Sequence, residues 1–325
     1  MAKRLDVVDF LRGFSIFTIV LMHLVQSYTL PTSLNKAVSF GGAGVHVFIL
    51  CSGFGLYLSY LHKPLSYRNF LKRRFTKVYF PYIFIILLSA LWVFFKSGIF
   101  DWAAVLSHIF LFKMFFPEYE SSFGGQMWFV STIIQFYIAW PLMVKLVKTK
   151  WCLLWGLSIS LGWATLVGLL GYDEERVWNS FFLQYVWEFV LGMWLAAYYQ
   201  KSPDSQIIPN WLFVIAGAII GIALTGVMAW NGGVLKLYND IPSLIGFISI
   251  LLFIYKLSIP FVNRIICYTN QISYEWYLVH ILIFDITKYY INGSTSVVTE
   301  LAICLLASYT CAFLYDFMLR RVHAK

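Results

Sequence analysis

The chain has 325 residues, of which 60% are hydrophobic, 20% aromatic and only 12% charged. Soluble domains carry about 45–50% apolar and about 25% charged residues, so this composition excludes a water-soluble globule. The net charge of +9 could suit nucleic acid, but the basic residues lie in short loops between apolar runs, which is typical of topology signals in membrane proteins. No nucleic-acid partner is therefore expected.

Ten apolar runs, each close to the length that crosses a bilayer, predict an all-α integral membrane protein of about ten transmembrane helices. In chain order they are 10–28, 42–61, 79–95, 128–147, 152–171, 180–199, 211–230, 241–259, 272–290 and 297–319. A shorter apolar piece near 103–116 predicts one re-entrant or interfacial helix, with His108 at the interface. Residues 1–325 are expected to form a single polytopic domain with no appended soluble domain.

The distribution of basic residues predicts that both termini are cytoplasmic. With ten spans, 17 of the 24 Lys and Arg residues fall on the cytoplasmic side and six fall outside, while Arg12 begins the first span. Cytoplasmic loops carry such an excess of positive charge. The five cysteines have no CxxC spacing, so neither a disulfide nor a metal site is predicted.

Two ionisable residues in the first predicted span are candidates for function. Arg12 and His23 are eleven residues apart, which is about three turns and 20° of a helix, so they share one face at a separation of about 16 Å. A guanidinium binds phosphate well, and a histidine can exchange a proton near neutral pH. The alternative remains open that Arg12 marks the membrane boundary and that His23 packs against a neighbour.

The chain resembles the membrane acyltransferase-3 family, and five groups of residues carry the resemblance. The first runs from Arg4-Leu5-Asp6 through Asp9 and Arg12-Gly13 to His23, and the others occupy 44–54, 70–81 and, more patchily, 128–141 and 272–280. The sequence departs from the family pattern at Lys77, where a second arginine is common. It departs again at 132–134, where an acidic residue is absent, and this leaves His23 without an identified carboxylate partner.

The resemblance implies transfer of an acyl group, usually acetyl, from cytoplasmic acyl-coenzyme A to a hydroxyl of an extracytoplasmic glycan. It implies that His23 and Arg12 are catalytic, and that Arg12, Arg73, Arg74 and Lys77 hold acetyl-CoA, the donor co-substrate. His23 would be the general base or a transient acyl carrier, and the base is favoured because a thioester is already activated. The basic turn, which contains Lys72, Arg73, Arg74 and Lys77, could instead bind anionic lipid headgroups.

Three further residues are candidates for binding the acceptor: His46, Trp128 and His280. Each also has a simpler interpretation, since intramembrane histidines pack helices together and tryptophan belongs to the interfacial belt. Glu188 and Asp285 also lie inside apolar runs, where each could pair with a basic group.

A transporter or flippase for a lipid-linked sugar or acyl donor is the alternative function, although the paired repeats typical of transporters are not evident. The expected partners are membrane lipid, acyl-CoA and a glycan or lipid-linked sugar acceptor. A homo-oligomer and a separate extracytoplasmic transferase both remain open. The expected location is the plasma or inner membrane, with multiple spans, in a bacterial cell.

Overall fold

A computed structural model describes residues 5–201, 208–257, 259–291 and 295–323, and across these ranges the protein is helical and contains no strand. Lys3, Arg4 and Lys325, three of the 17 basic residues predicted to be cytoplasmic, lie outside these residues. The helices are α1 (Asp6–Gln26), α2 (Thr32–Ser39), α3 (Gly44–His62), α4 (Tyr67–Arg74), α5 (Phe80–Ser97), α6 (Trp102–Ile109), α7 (Trp128–Ile138), α8 (Trp140–Val147), α9 (Cys152–Leu169), α10 (Arg176–Asn179), α11 (Val186–Lys201), α12 (Trp211–Asn231), α13 (Asp240–Lys256), α14 (Pro260–Thr269), α15 (Ser273–Ile291) and α16 (Val297–His323).

Six helices of the described chain are long and apolar enough to cross a membrane, and a bent pair makes a seventh. The six are Asp6–Gln26, Thr32–His62, Tyr67–Ser97, Cys152–Leu169, Trp211–Asn231 and Val297–Val322. The other predicted spans also contain helices, but α11 has 16 residues, α13 has 17, and α15 carries Glu275, Asp285 and Lys288. This is a multi-pass membrane architecture, while the count of ten and the location of both termini stay predictions.

The predicted span 128–147 is not one continuous helix. It consists of α7 and α8, which meet at Ala139 with a bend of 66°. Pro141 causes the break, because it lacks the N–H that would bond to the carbonyl of Tyr137 and because proline disfavours helical geometry in the residue before it. The hydroxyl of Tyr67 donates to the neighbouring carbonyl of Ile138 at 2.8 Å, which satisfies one acceptor that the bend frees.

The predicted helix near 103–116 is shorter than expected, since α6 ends at Ile109. Leu111 has a φ of 61°, a left-handed conformation that a helix cannot continue through. The following residues form three short 3₁₀ turns, Lys113–Phe115, Pro117–Tyr119 and Gly125–Met127, which lead into α7. His108 and Lys113 are consequently buried completely rather than held at an interface.

Helix α1 lies at the centre of the bundle and contacts α3, α13, α14, α15 and α16. Small residues allow the closest approaches: a Cβ at Gly13 would overlap the backbone of Ile266 in α14. Likewise, Gly53 of α3 and Gly192 of α11 each face a backbone carbonyl of the other helix. Glycine contacts of this kind draw membrane helices together without a hydrophobic driving force. They fix the positions of α1, α3 and α11, which carry Arg12, His23, His46 and Glu188.

Candidate active site

A cavity of about 520 Å³ lies between α1, α3, the end of α4 with the turn that follows it, α7 and the start of α15. Arg12, Arg74 and Lys77 line it, together with Asn270 and Glu275. The remainder of the wall is largely apolar or aromatic and includes Ile19, Val45, Phe48, Phe129, Ile133 and Tyr277. A cationic region that continues into an apolar passage suits a ligand with an anionic head and a thin, less polar arm.

The basic turn reaches the cavity through an irregular stretch of helix. Between α4 and α5 the residues Phe75–Tyr79 form a π-helical turn, a feature that often marks functional sites. Arg74 and Lys77 lie three residues apart on one side of this helix, and both line the cavity. Arg73 is exposed to solvent and does not line it. The structure therefore brings three of the four predicted donor-binding residues together.

Two guanidinium groups in the cavity have unused hydrogen-bond donors. The Nε atoms of Arg12 and Arg74 are buried and have no hydrogen-bond partner among the described residues. Arg12 lies 5.6 Å from the ring centre of Phe48, and Arg74 lies 5.6 Å from that of Phe70. Buried donors are rarely left unpaired, and two like charges close together repel. An anion that accepts hydrogen bonds from both guanidinium groups would pair the unused donors and offset the repulsion between the two charges.

His23 lies one helical turn beyond the cavity wall. Ile19, four residues earlier on α1, lines the cavity, and Nδ1 of His23 is 3.0 Å from Nε2 of His280 on α15. The ring centres are 5.2 Å apart and the planes differ by 15°, so the two rings meet edge to edge. Tyr277, one turn before His280, also lines the cavity. The cavity and the histidine pair are thus adjacent along the same two helices.

His46 belongs to a different cluster. Its Nδ1 is 2.7 Å from Oε1 of Glu188, and its Nε2 is 3.6 Å from Oδ1 of Asp240. Gln184 donates to the other oxygen of Asp240 at 2.7 Å. Glu188 is completely buried and its Oε2 lacks a hydrogen-bond partner within the described ranges. The cluster joins α3, α11 and α13, and substrate binding by His46 stays a prediction.

Trp128 is buried at the start of α7, beside this cluster. Its ring stacks with Tyr185 at 5.8 Å, and the guanidinium of Arg176 lies 4.4 Å from its centre. Arg176 is also within electrostatic range of His23 and His46. A sugar-stacking role for Trp128 stays a prediction.

Sequence reasoning missed three residues of this region: Arg176, Asp240 and Gln184. The sequence analysis singles out none of the three as a candidate. A signal was available for Glu188, an acid inside an apolar run, but its partner His46 is 142 residues away.

A third polar cluster links α5, α6 and the segment between α6 and α7. His108 lies 2.5 Å from the hydroxyl of Tyr82, and its other ring nitrogen lies 2.9 Å from the hydroxyl of Ser122. Lys113 donates weakly to the carbonyls of Ser122 and Gly124, at 3.3 and 3.5 Å. Burial lowers the pKa of Lys113 to about 7, and burial together with Lys113 lowers the pKa of His108 to about 3. This cluster lies outside the cavity.

Comparison with known proteins identifies a family. A family model described as an acyltransferase domain matches residues 5–316. The curated protein Acyltransferase MdmB from Streptomyces mycarofaciens is 27% identical over 157 residues, which cover 45% of this chain and 40% of that protein. The match therefore spans less than half the length of that relative. No solved structure matches the chain.

The buried amine of Lys113 predicts a pH dependence of stability. The unfolded chain keeps a lysine with a pKa of about 10.4, so it binds more protons than the folded chain between about pH 7 and pH 10. The free energy of unfolding should therefore rise with pH across this window. Replacing Lys113 with Met should remove this pH dependence of the free energy of unfolding. Within the window, the melting temperature of the variant should exceed that of the wild type most at pH 7, as measured in detergent at several pH values. A variant whose melting temperature differs from that of the wild type by the same amount at every pH would contradict the prediction.

Proposed function

Because the chain belongs to the acyltransferase-3 family, we propose that it transfers an acyl group from cytoplasmic acyl-coenzyme A to a hydroxyl of an extracytoplasmic carbohydrate. The acyl group is most simply acetyl. The location that follows is a plasma or inner membrane, where one protein can meet both substrates. Glycan or lipid-linked sugar is the proposed acceptor.

The observation that carries this proposal is the cavity with two unpaired guanidinium donors. Coenzyme A has phosphate groups at one end, a long and thin arm, and a thioester at the other end. Arg12 and Arg74 have unused donors for phosphate oxygens, while Lys77 adds a third cation to the same wall. From Arg12 the distance to His23 along α1 is about 16 Å, which is comparable to the reach of the arm.

His23 is proposed to be the general base of the transfer. It takes the proton of the acceptor hydroxyl as that oxygen attacks the thioester carbonyl. The carbon–sulfur bond then breaks, and the thiolate of coenzyme A takes the proton back from His23. Atoms and charges balance without a further reactant. On α1 the cavity ends at Ile19, one helical turn before His23. The thioester must therefore extend past Ile19 to react.

The cavity can be blocked at Gly55, which lines it. A Cβ at this position meets nothing within 4 Å, so a larger side chain should project into the cavity without disturbing the packing. Gly55→Leu should weaken binding of coenzyme A at least tenfold, measured by calorimetry in nanodiscs. Gly162→Leu is the matched control, because Gly162 also has open space but does not line the cavity. Equal affinities in the two variants would place the donor elsewhere.

The adjacent arginines of the basic turn provide a second comparison. Arg74→Ala removes a half-buried guanidinium that lines the cavity, whereas Arg73→Ala removes an exposed one. Charge-assisted hydrogen bonds contribute about 1.5–3 kcal/mol, so Arg74→Ala should weaken coenzyme A binding by about tenfold or more. Arg73→Ala should change it little, because exposed charges are screened. Both variants lose one positive charge, so an equal loss of affinity would indicate a general electrostatic effect rather than a specific contact.

The base assignment is tested by His23→Ala. General base catalysis typically accelerates a reaction 10²–10⁴-fold, and we expect the variant to lose acetyl transfer to that extent while it still binds coenzyme A. The measurement is transfer of radiolabelled acetyl from acetyl-CoA to envelope carbohydrate in membrane vesicles. Normal transfer by His23→Ala would contradict the proposed chemistry.

A further inference from the structure

His280 is completely buried on α15, and the transfer step has so far given it no task. One of its ring nitrogens, Nδ1, is 3.0 Å from the carbonyl oxygen of Trp276. The other, Nε2, is 3.0 Å from Nδ1 of His23. Both nitrogens are therefore engaged within the protein, and neither is left to bind a substrate. This favours a role exerted through His23 over the substrate contact that the sequence predicted.

The direction of these hydrogen bonds follows from elementary chemistry. A carbonyl oxygen only accepts, so Nδ1 of His280 must carry the hydrogen. In a neutral ring, Nε2 of His280 is then an acceptor, and Nδ1 of His23 must be its donor. In neutral His23 the hydrogen consequently resides on Nδ1, and Nε2 keeps its lone pair. The atom available as a base is thereby specified.

We infer that His280 is a positioning residue, which holds His23 in the tautomer and orientation whose Nε2 accepts the hydroxyl proton. This inference rests on the proposed function. In serine proteases an aspartate performs the corresponding task for the catalytic histidine. Here a neutral imidazole and a backbone carbonyl replace the carboxylate. No buried negative charge is needed, which avoids a large cost inside a membrane.

The pair is also suited to the charged state of His23. When Nε2 takes up a proton, the hydrogen bond from Nδ1 to His280 becomes charge-assisted and therefore stronger. The bond from His280 to the carbonyl polarises the ring in the same direction, since hydrogen bonds in a chain reinforce one another. The carbonyl belongs to a fixed residue: Trp276 is buried and its Nε1 donates to Ser308 of α16 at 3.0 Å.

Three substitutions of His280 separate positioning from other roles. The carboxamide of His280→Gln reaches about as far as Nε2 and can accept from His23. That of His280→Asn reaches only as far as Nδ1, so it can bond to the carbonyl of Trp276 but not to His23. His280→Leu makes neither bond. We expect Asn and Leu to lower kcat about 10²-fold or more with an unchanged KM for acetyl-CoA and for the acceptor, and Gln to restore kcat to within about tenfold of the wild type.

The outcomes are distinguishable. A raised KM for the acceptor with little change in kcat would overturn positioning in favour of substrate contact. Equal loss in the Gln and Asn variants, with coenzyme A binding intact, would overturn the assigned hydrogen-bond direction. If His280→Leu is fully active while His23→Ala is inactive, His280 has no positioning role, but the proposed function still holds. Activity of His23→Ala would instead refute the proposed function itself.

Discussion

A polar side chain inside a membrane bundle must find its partner within the protein, because lipid offers neither hydrogen bonds nor counter-charges. Most intramembrane polar residues of this chain obey that constraint: His23 pairs with His280, and His46 pairs with Glu188. The exceptions are therefore informative. Two of these exceptions, Arg12 and Arg74, keep buried nitrogens without partners in the described chain, and both line the same cavity. Two cations with unused donors at one cavity are suited to bind an anion.

The glycine contacts make that arrangement possible. Gly53 and Gly192 bring α3 and α11 close enough for His46 to reach Glu188, and Gly13 allows α14 to approach α1. Helices that pack at such short range have little freedom to slide. Polar side chains on them can then meet at hydrogen-bonding distance, as a proton-transfer site requires.

Much of the helical architecture could be predicted from the sequence, because the need to satisfy every backbone group in lipid turns an apolar run of sufficient length into a helix. The breaks could not be predicted as well. Pro141 was visible, but the bend at Ala139 also depends on Tyr67 reaching the carbonyl of Ile138. Likewise, the left-handed conformation of Leu111 has no signal in a residue that ordinarily favours helices.

For the candidate site, the sequence predicted the residues on single elements and missed the pairings between them. Arg12 and His23 share α1, so helical geometry alone places them on one face. The sequence identifies no carboxylate partner for His23. In the structure the partner is His280, which is 257 residues further along the chain. Such pairing depends on how α1 and α15 pack, which no local pattern encodes. Arg73 and Arg74 are likewise the same type of residue. Only the rotation of the helix determines that Arg74 and not Arg73 faces the cavity.

That rotation depends on the π-helical turn at Phe75–Tyr79. Such a turn contains one residue more than an α-helical turn in a comparable length. In a regular helix, the loss of one residue would rotate everything on one side by about 100° and would exchange Arg74 for a neighbour at the cavity wall. Within this turn the same deletion would leave a regular α-helix with both flanks nearly in place. The basic segment can therefore gain or lose a residue here over evolutionary time while the arginine that faces the cavity keeps its place.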